Sequence, residues 1–309
     1  MRLNSSGKVL FALGIFLGWG APARRAAATE PALDVAAARE ILHVPNECST
    51  VECLLEQAYQ SDPKAQALAL GLWQTAGDVA GVGPEETMDG GFRGAIHLLP
   101  QLPLGNYRKH LGWVAAGARD IDQFFAALFK DRGAPKYRWQ NLEFRFVRSL
   151  GKHRPSAYAI GWAIEYNVEG SLNLNAKAVR ETLFHELFHL NDEAHGDWSP
   201  AHLRADYAAI LERCGAKRAM KCLAPYAPND TTVRGGTYYA FQSNNGDTVH
   251  EYAAELAVRY FKEQSEMLRA GKLSRAAFKC GPPENARAWQ SLVSEFFDGR
   301  DLVPACAPR

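Results

Sequence analysis

The feature that most constrains this chain is the stretch 176–192, whose centre reads His185-Glu186-Leu187-Phe188-His189. Ala176, Val179, Leu183, Leu187 and Leu190 recur at the spacing of one helix face, so the stretch predicts an amphipathic helix lying against a core. On that helix the two histidines stand four residues apart, one above the other, and their imidazoles can close on a single metal ion. Glu186, a step round, stays free of the metal. A metal held this way lowers the pKa of a bound water, and the adjacent carboxylate can take its proton. Residues 171–175, Ser-Leu-Asn-Leu-Asn, alternate like a short strand leading into the helix.

Two histidines leave the metal short of one protein ligand if water is to keep a position. Two residues compete for the place. His195 follows the helix closely. Glu251 belongs to a second helical stretch, 247–268, where Glu251 and Glu255 share a face among Ala253, Ala254, Leu256, Ala257 and Phe261. Two adjacent carboxylates on an otherwise apolar surface repel each other and need a cation or a donor between them. Asp192, one turn beyond His189, can accept a hydrogen bond from a ligating imidazole or cap the helix end. His250 should point away from the metal, and His43, His97, His110, His153 and His202 have no comparable setting.

The string H-E-x-x-H is the signature of the zincin metallopeptidases, and over residues 158–268 the chain resembles them. The stretch Glu251-Tyr252-Ala253-Ala254-Glu255 resembles the E-[FY]-x-A-E helix of the anthrax lethal factor-like peptidases, which are glutamate zincins (gluzincins). That resemblance implies Zn2+ as the cofactor, His185, His189 and Glu251 as its ligands, Glu186 as general base, and Glu255 as a residue orienting a ligand. It also implies a tyrosine before the glutamate helix that stabilises an oxyanion; Tyr238 and Tyr239 are available and Tyr239 is preferred. The fold it implies is α+β and zincin-like: a helical N-terminal region, a small mixed sheet with the active-site helix packed on it, and a mainly helical C-terminal subdomain that returns Glu251 to the metal. The activity implied is hydrolysis of a peptide or protein substrate. Two alternatives stand beside it. The metzincin pattern H-E-x-x-H-x-x-G-x-x-H would make His195 the third ligand, with Asp192 in the place of its glycine. An exported, toxin-like protein with a structural zinc would cut nothing.

Arg2 and Lys8 precede an apolar run over 9–19, and small residues follow at Ala21, Ala23 and Ala26 to Ala28. This order predicts a secretory signal peptide over 1–28 rather than a membrane anchor, which needs roughly 20 apolar residues. A secreted or periplasmic location agrees with six cysteines; Cys48 with Cys53 and Cys214 with Cys222 are close enough for local clips, leaving Cys280 for Cys306, one of 15 possible pairings. The charge balance, 35 Lys and Arg against 34 Asp and Glu, offers no electrostatic footprint for nucleic acid.

The remaining chain divides into a helical region over 29–91 and a catalytic-type domain over 92–309. Pro45 and Asp62-Pro63 break the first into two or three helices, and the glycines of 82–94 make a loop and a boundary. In the second, 121–130 reads as a helix, and 142–148 and 157–167 read as strands. The last of these places Ala159, Gly161 and Ala163 on one face.

Overall fold

Asp34, Thr50 and Asp62 each accept a hydrogen bond from a backbone N–H three residues on, and each begins a helix: α1 (Val35–Leu42), α2 (Val51–Ala58) and α3 (Pro63–Ala76). The structure is a computed structural model and describes residues 33–44, 47–89, 94–215, 219–233, 236–242 and 248–307. The expected leader, 1–28, lies outside the described residues. After α3 come β1 (Val79–Val82), β2 (Glu86–Asp89), β3 (Ala95–Pro100), α4 (Arg108–Leu128), β4 (Glu143–Leu150), β5 (Ala157–Ile160) and β6 (Ala163–Asn167). The later part is α5 (Ala176–Ala194), α6 (Trp198–Cys214), α7 (Met220–Leu223), the two short strands β7 (Thr232–Val233) and β8 (Thr237–Tyr238), α8 (Thr248–Ala270) and α9 (Pro283–Phe296).

The fold is α+β, with a mixed sheet centred on β4. On one side β6 pairs with it in parallel and β5 returns antiparallel at the edge. On the other side β1 runs parallel to its first half and β3 antiparallel to its second, with β2 outside β3. The region 29–91 therefore supplies β1 and β2 to the sheet as well as three helices. One buried apolar cluster joins α1 to α3 with Phe144, Phe146, Ile164 and Tyr166 of the sheet and with α4, α5, α6, α8 and α9. The opposite face carries a small cluster, Ile96, Leu98 and Val147, with Met88 and Tyr158 against it.

Three local expectations need correction. Residues 157–167 are a hairpin and not one strand: Ile160 pairs with Ala163, and Gly161, at φ 56°, makes the turn instead of lining a face. Residues 171–175 form turns and no strand, because side chains take their backbone partners. Asn173 donates to the carbonyls of Ser156 and Asn167, and Asn175 accepts from the Ala178 N–H to start α5. The helix read at 121–130 begins earlier, at Arg108.

The cysteines pair as Cys48–Cys53, Cys214–Cys222 and Cys280–Cys306, which suggests an oxidising environment. Among the described residues no helix is long and apolar enough to cross a membrane.

α4 and α5 approach closely at Gly117, where a Cβ would lie 2.9 Å from Leu183 Cδ1 and 3.4 Å from the Arg180 Cα. Gly117→Val should therefore destabilise the protein by about 1–3 kcal/mol in chemical denaturation, through overpacking. Gly112→Ala on the same helix meets only Leu68 Cδ1, at 3.8 Å, and should be neutral or slightly stabilising. Equal midpoints for the two variants would show that the close approach is not a constraint.

Candidate metal centre

From Leu183 to Phe188 every residue of α5 is buried, so this part of the helix is enclosed nearly all round and not along one stripe. α8 closes one side of it. Phe184 stacks on Phe261 with ring centroids 4.5 Å apart, the Arg180 guanidinium lies 5.9 Å from the same ring, and Lys262 Nζ is 3.2 Å from Glu181 Oε2. The contacts climb α5 as they descend α8, and at their upper end His185 and His189 meet Glu251.

There His185 Nε2 lies 3.1 Å from both Glu251 Oε2 and His189 Nε2, and the third side of the triangle is 3.9 Å. Atoms so spaced lie on a circle of radius about 2.0 Å, the length of a bond from a divalent transition metal to imidazole nitrogen or carboxylate oxygen. His185, His189 and Glu251 could hold a metal ion, and among the described residues they are the one group that could. Two imidazoles and a carboxylate suit zinc and its first-row neighbours alike, so the donor set does not name the metal.

The surrounding charges are arranged around His185. Glu255 Oε1 stands 3.4 Å from its Nδ1, so two carboxylates of α8 bracket one imidazole, one at each nitrogen. Burial opposes charge on this ring, but the bonds to Glu251 and Glu255 outweigh it and hold the pKa well above the usual histidine range. His189 goes the other way: burial, with the charge of His185 beside it, pushes it down to about 3. Burial also works against the Glu251 carboxylate, yet the histidines and a hydrogen bond from Tyr239 keep its pKa below the ordinary value.

Glu186 is 7% exposed, and its carboxylate makes no hydrogen bond to any described residue. Burial raises its pKa to about 7, with His185 lowering it and Glu251 adding to the rise. Tyr239 follows β8 in a single 3-10 turn, Tyr239–Phe241, and its N–H donates to the Thr231 carbonyl at 2.8 Å. That anchor turns its ring edge-on to His185, with centroids 5.6 Å apart, and its hydroxyl to Glu251. Tyr238 is half-buried against the core.

Other residues fall elsewhere. Asp192 neither bonds a ligating imidazole nor caps its own helix: its carboxylate accepts from the Ser199 N–H at 2.8 Å and the Ser199 hydroxyl at 2.6 Å, and so caps α6, for which Asp197 provides no side-chain bond. His195 does not join the histidine pair; its Nδ1 is 2.7 Å from Glu295 Oε1 on α9. His250 Nε2 lies 3.7 Å from Asp192 and 3.8 Å from Asp197, away from the metal group. Asn229 was not legible as a site residue. It fixes α8 by donating to the Glu255 carbonyl at 2.7 Å while accepting from Lys262, and no local pattern announces such a bond. Compared with models of protein families, with curated proteins and with solved structures, the chain matches none.

Glu251→Ala should lose most of its bound metal under a mild chelator wash, whereas His195→Ala should keep the native content, measured per chain by atomic absorption. The opposite pattern would move the third ligand to His195.

Proposed function

We propose that the protein is an exported zinc-dependent peptidase of zincin-like fold and gluzincin type, acting on a peptide or protein substrate in a secreted or periplasmic setting. The observation that carries this reading is a three-donor group beside a buried carboxylate that makes no hydrogen bond to any described residue. Three protein ligands are the number found in catalytic zinc sites, where structural sites have four, which favours an enzyme over a zinc-stabilised toxin-like protein. The bond between His195 and Glu295 speaks against the metzincin arrangement. Three disulfides support export.

His185, His189 and Glu251 would hold the zinc, and Glu255 would fix the His185 ring through Nδ1. When bound, zinc supplies a Lewis acid that polarises a carbonyl and acidifies water. Glu186, buried and with no competing donor among the described residues, takes a proton from the attacking water and passes it to the leaving amine. The Tyr239 hydroxyl, which here donates to Glu251, is within the same cluster of groups and can donate to negative charge developing on the substrate's carbonyl oxygen.

Glu186→Gln should retain the native zinc content and lose peptide hydrolysis by roughly 10²-fold or more. Turnover unchanged in that variant would rule out the mechanism. Tyr239→Phe should keep zinc and lower kcat by about 10²-fold; a change in KM alone would assign the hydroxyl to substrate binding.

A further inference from the structure

Glu165 is an ionisable side chain in a place that favours neutral ones. It stands mid-strand in β6, in register with Arg145 of β4 and Tyr158 of β5, and is 1% exposed. Among the described residues Arg145 is its one cation, and a shared one: Nε and Nη2 go to Glu143 Oε2 at 2.7 and 2.6 Å, leaving Nη1 at 3.5 Å from Glu165 Oε1. Among the described residues Glu165 Oε2 has no hydrogen-bond partner. Gly83, in the connection from β1 to β2, abuts that oxygen so closely that a Cβ would overlap it. At the far end of the same connection, Glu86 accepts a hydrogen bond from the Tyr158 hydroxyl, which ties the strap 83–86 to the edge strand β5.

The charged and titratable groups facing Glu165 are therefore Arg145 and Glu143 from β4, Glu86 from β2 and Tyr158 from β5. Two carboxylates share one guanidinium, and Glu86 adds a further negative charge beside Glu165. An ionised carboxylate with an unbonded oxygen is costly to bury, and opening the strap to water is the direct relief.

We propose that Glu165 is a proton-operated latch: protonated, it keeps the strap 83–86 and the edge strand β5 closed on the sheet, and ionised, it releases them. β5 packs against α5, so the release reaches the helix that carries the two histidines. The latch stands on the sheet alone and does not depend on the peptidase reading.

The direction follows from linkage. Burial, together with Glu86 and Glu143, raises the Glu165 pKa to about 7 against the pull of Arg145, while an opened, hydrated side chain returns towards 4.5. The closed form keeps its full advantage below the lower value, loses it as pH climbs through the interval, and has lost it above about 7.

The test is amide hydrogen exchange on the intact protein from pH 5 to pH 8, corrected for the intrinsic pH dependence of exchange. It is read at residues 79–89 and 157–160, including the Gly83 N–H that donates to the Phe146 carbonyl at 3.2 Å. Opening should increase on the order of a hundredfold across this range in the native protein, and stay level in Glu165→Gln. A level native profile, or the same increase in the variant, would overturn the latch. Should Glu165→Gln fail to fold, the assigned 13C carboxyl resonance of Glu165 in the native protein decides: titration near 7 supports the latch, and titration in the ordinary carboxylate range refutes it.

Discussion

The packing of α8 on α5 is the contact from which the site follows. Phe184 stacks on Phe261, Phe124 meets Phe261 edge-on at 4.8 Å, and Tyr260 stacks on Phe297 at 4.0 Å. Rings this close bury large apolar area with a restricted geometry, so the crossing of the two helices has little freedom. His185 follows Phe184 directly, and Glu251 and Glu255 lie on the same helix as Phe261. Once the aromatic contact is made, the carboxylates have to arrive at the imidazole. Asn229 and Lys262 then pin α8 against sliding.

Enclosure also explains why the site is electrostatically unusual. Burial by itself disfavours charge on His185, His189, Glu186 and Glu251, yet the groups sit together and respond in opposite directions. His185 stays protonated because a carboxylate faces each of its nitrogens, and His189 is left neutral beside it. A divalent ion would replace one proton and neutralise the same carboxylate, so the metal-free cluster is already arranged for a cation. The far face of the sheet shows the other outcome. Glu165, with an arginine shared with Glu143 and one oxygen unbonded among the described residues, has its pKa raised by burial to about 7.

Much of the site was legible because its spacing is local. Residues four apart on a helix share a face whatever surrounds them, which sufficed for His185 with His189 and for Glu251 with Glu255. The disulfides Cys48–Cys53 and Cys214–Cys222 are close in sequence for the same kind of reason, and Cys280–Cys306 follows once they are paired. Polar patterns misled where one residue type serves several structures. The alternation in 171–175 suits a strand, but Asn173 and Asn175 are also the residues that best close turns and start helices, and here their amides do so. The alternation of 157–167 is unbroken in sequence, yet the two-residue turn swaps the faces: Tyr158 and Ile160 share one face with Ala163 and Glu165, whereas Ile164 and Tyr166 share the other with Ala157 and Ala159.

By itself, then, the amino-acid sequence determined that a helix would present two histidines and an uncommitted glutamate, that a second helix would present two carboxylates, and that further helices and strands would make up the rest. Tertiary structure alone decided which distant groups meet: Glu251 with the histidines, His195 with Glu295, and β1 with β4. The physical reason is the range of the forces involved. Helical period and turn chemistry act over a few residues and are written in their order, whereas partners 53 to 100 residues apart, as in Arg138 with Asn191 or His195 with Glu295, are chosen by how buried surfaces fit together.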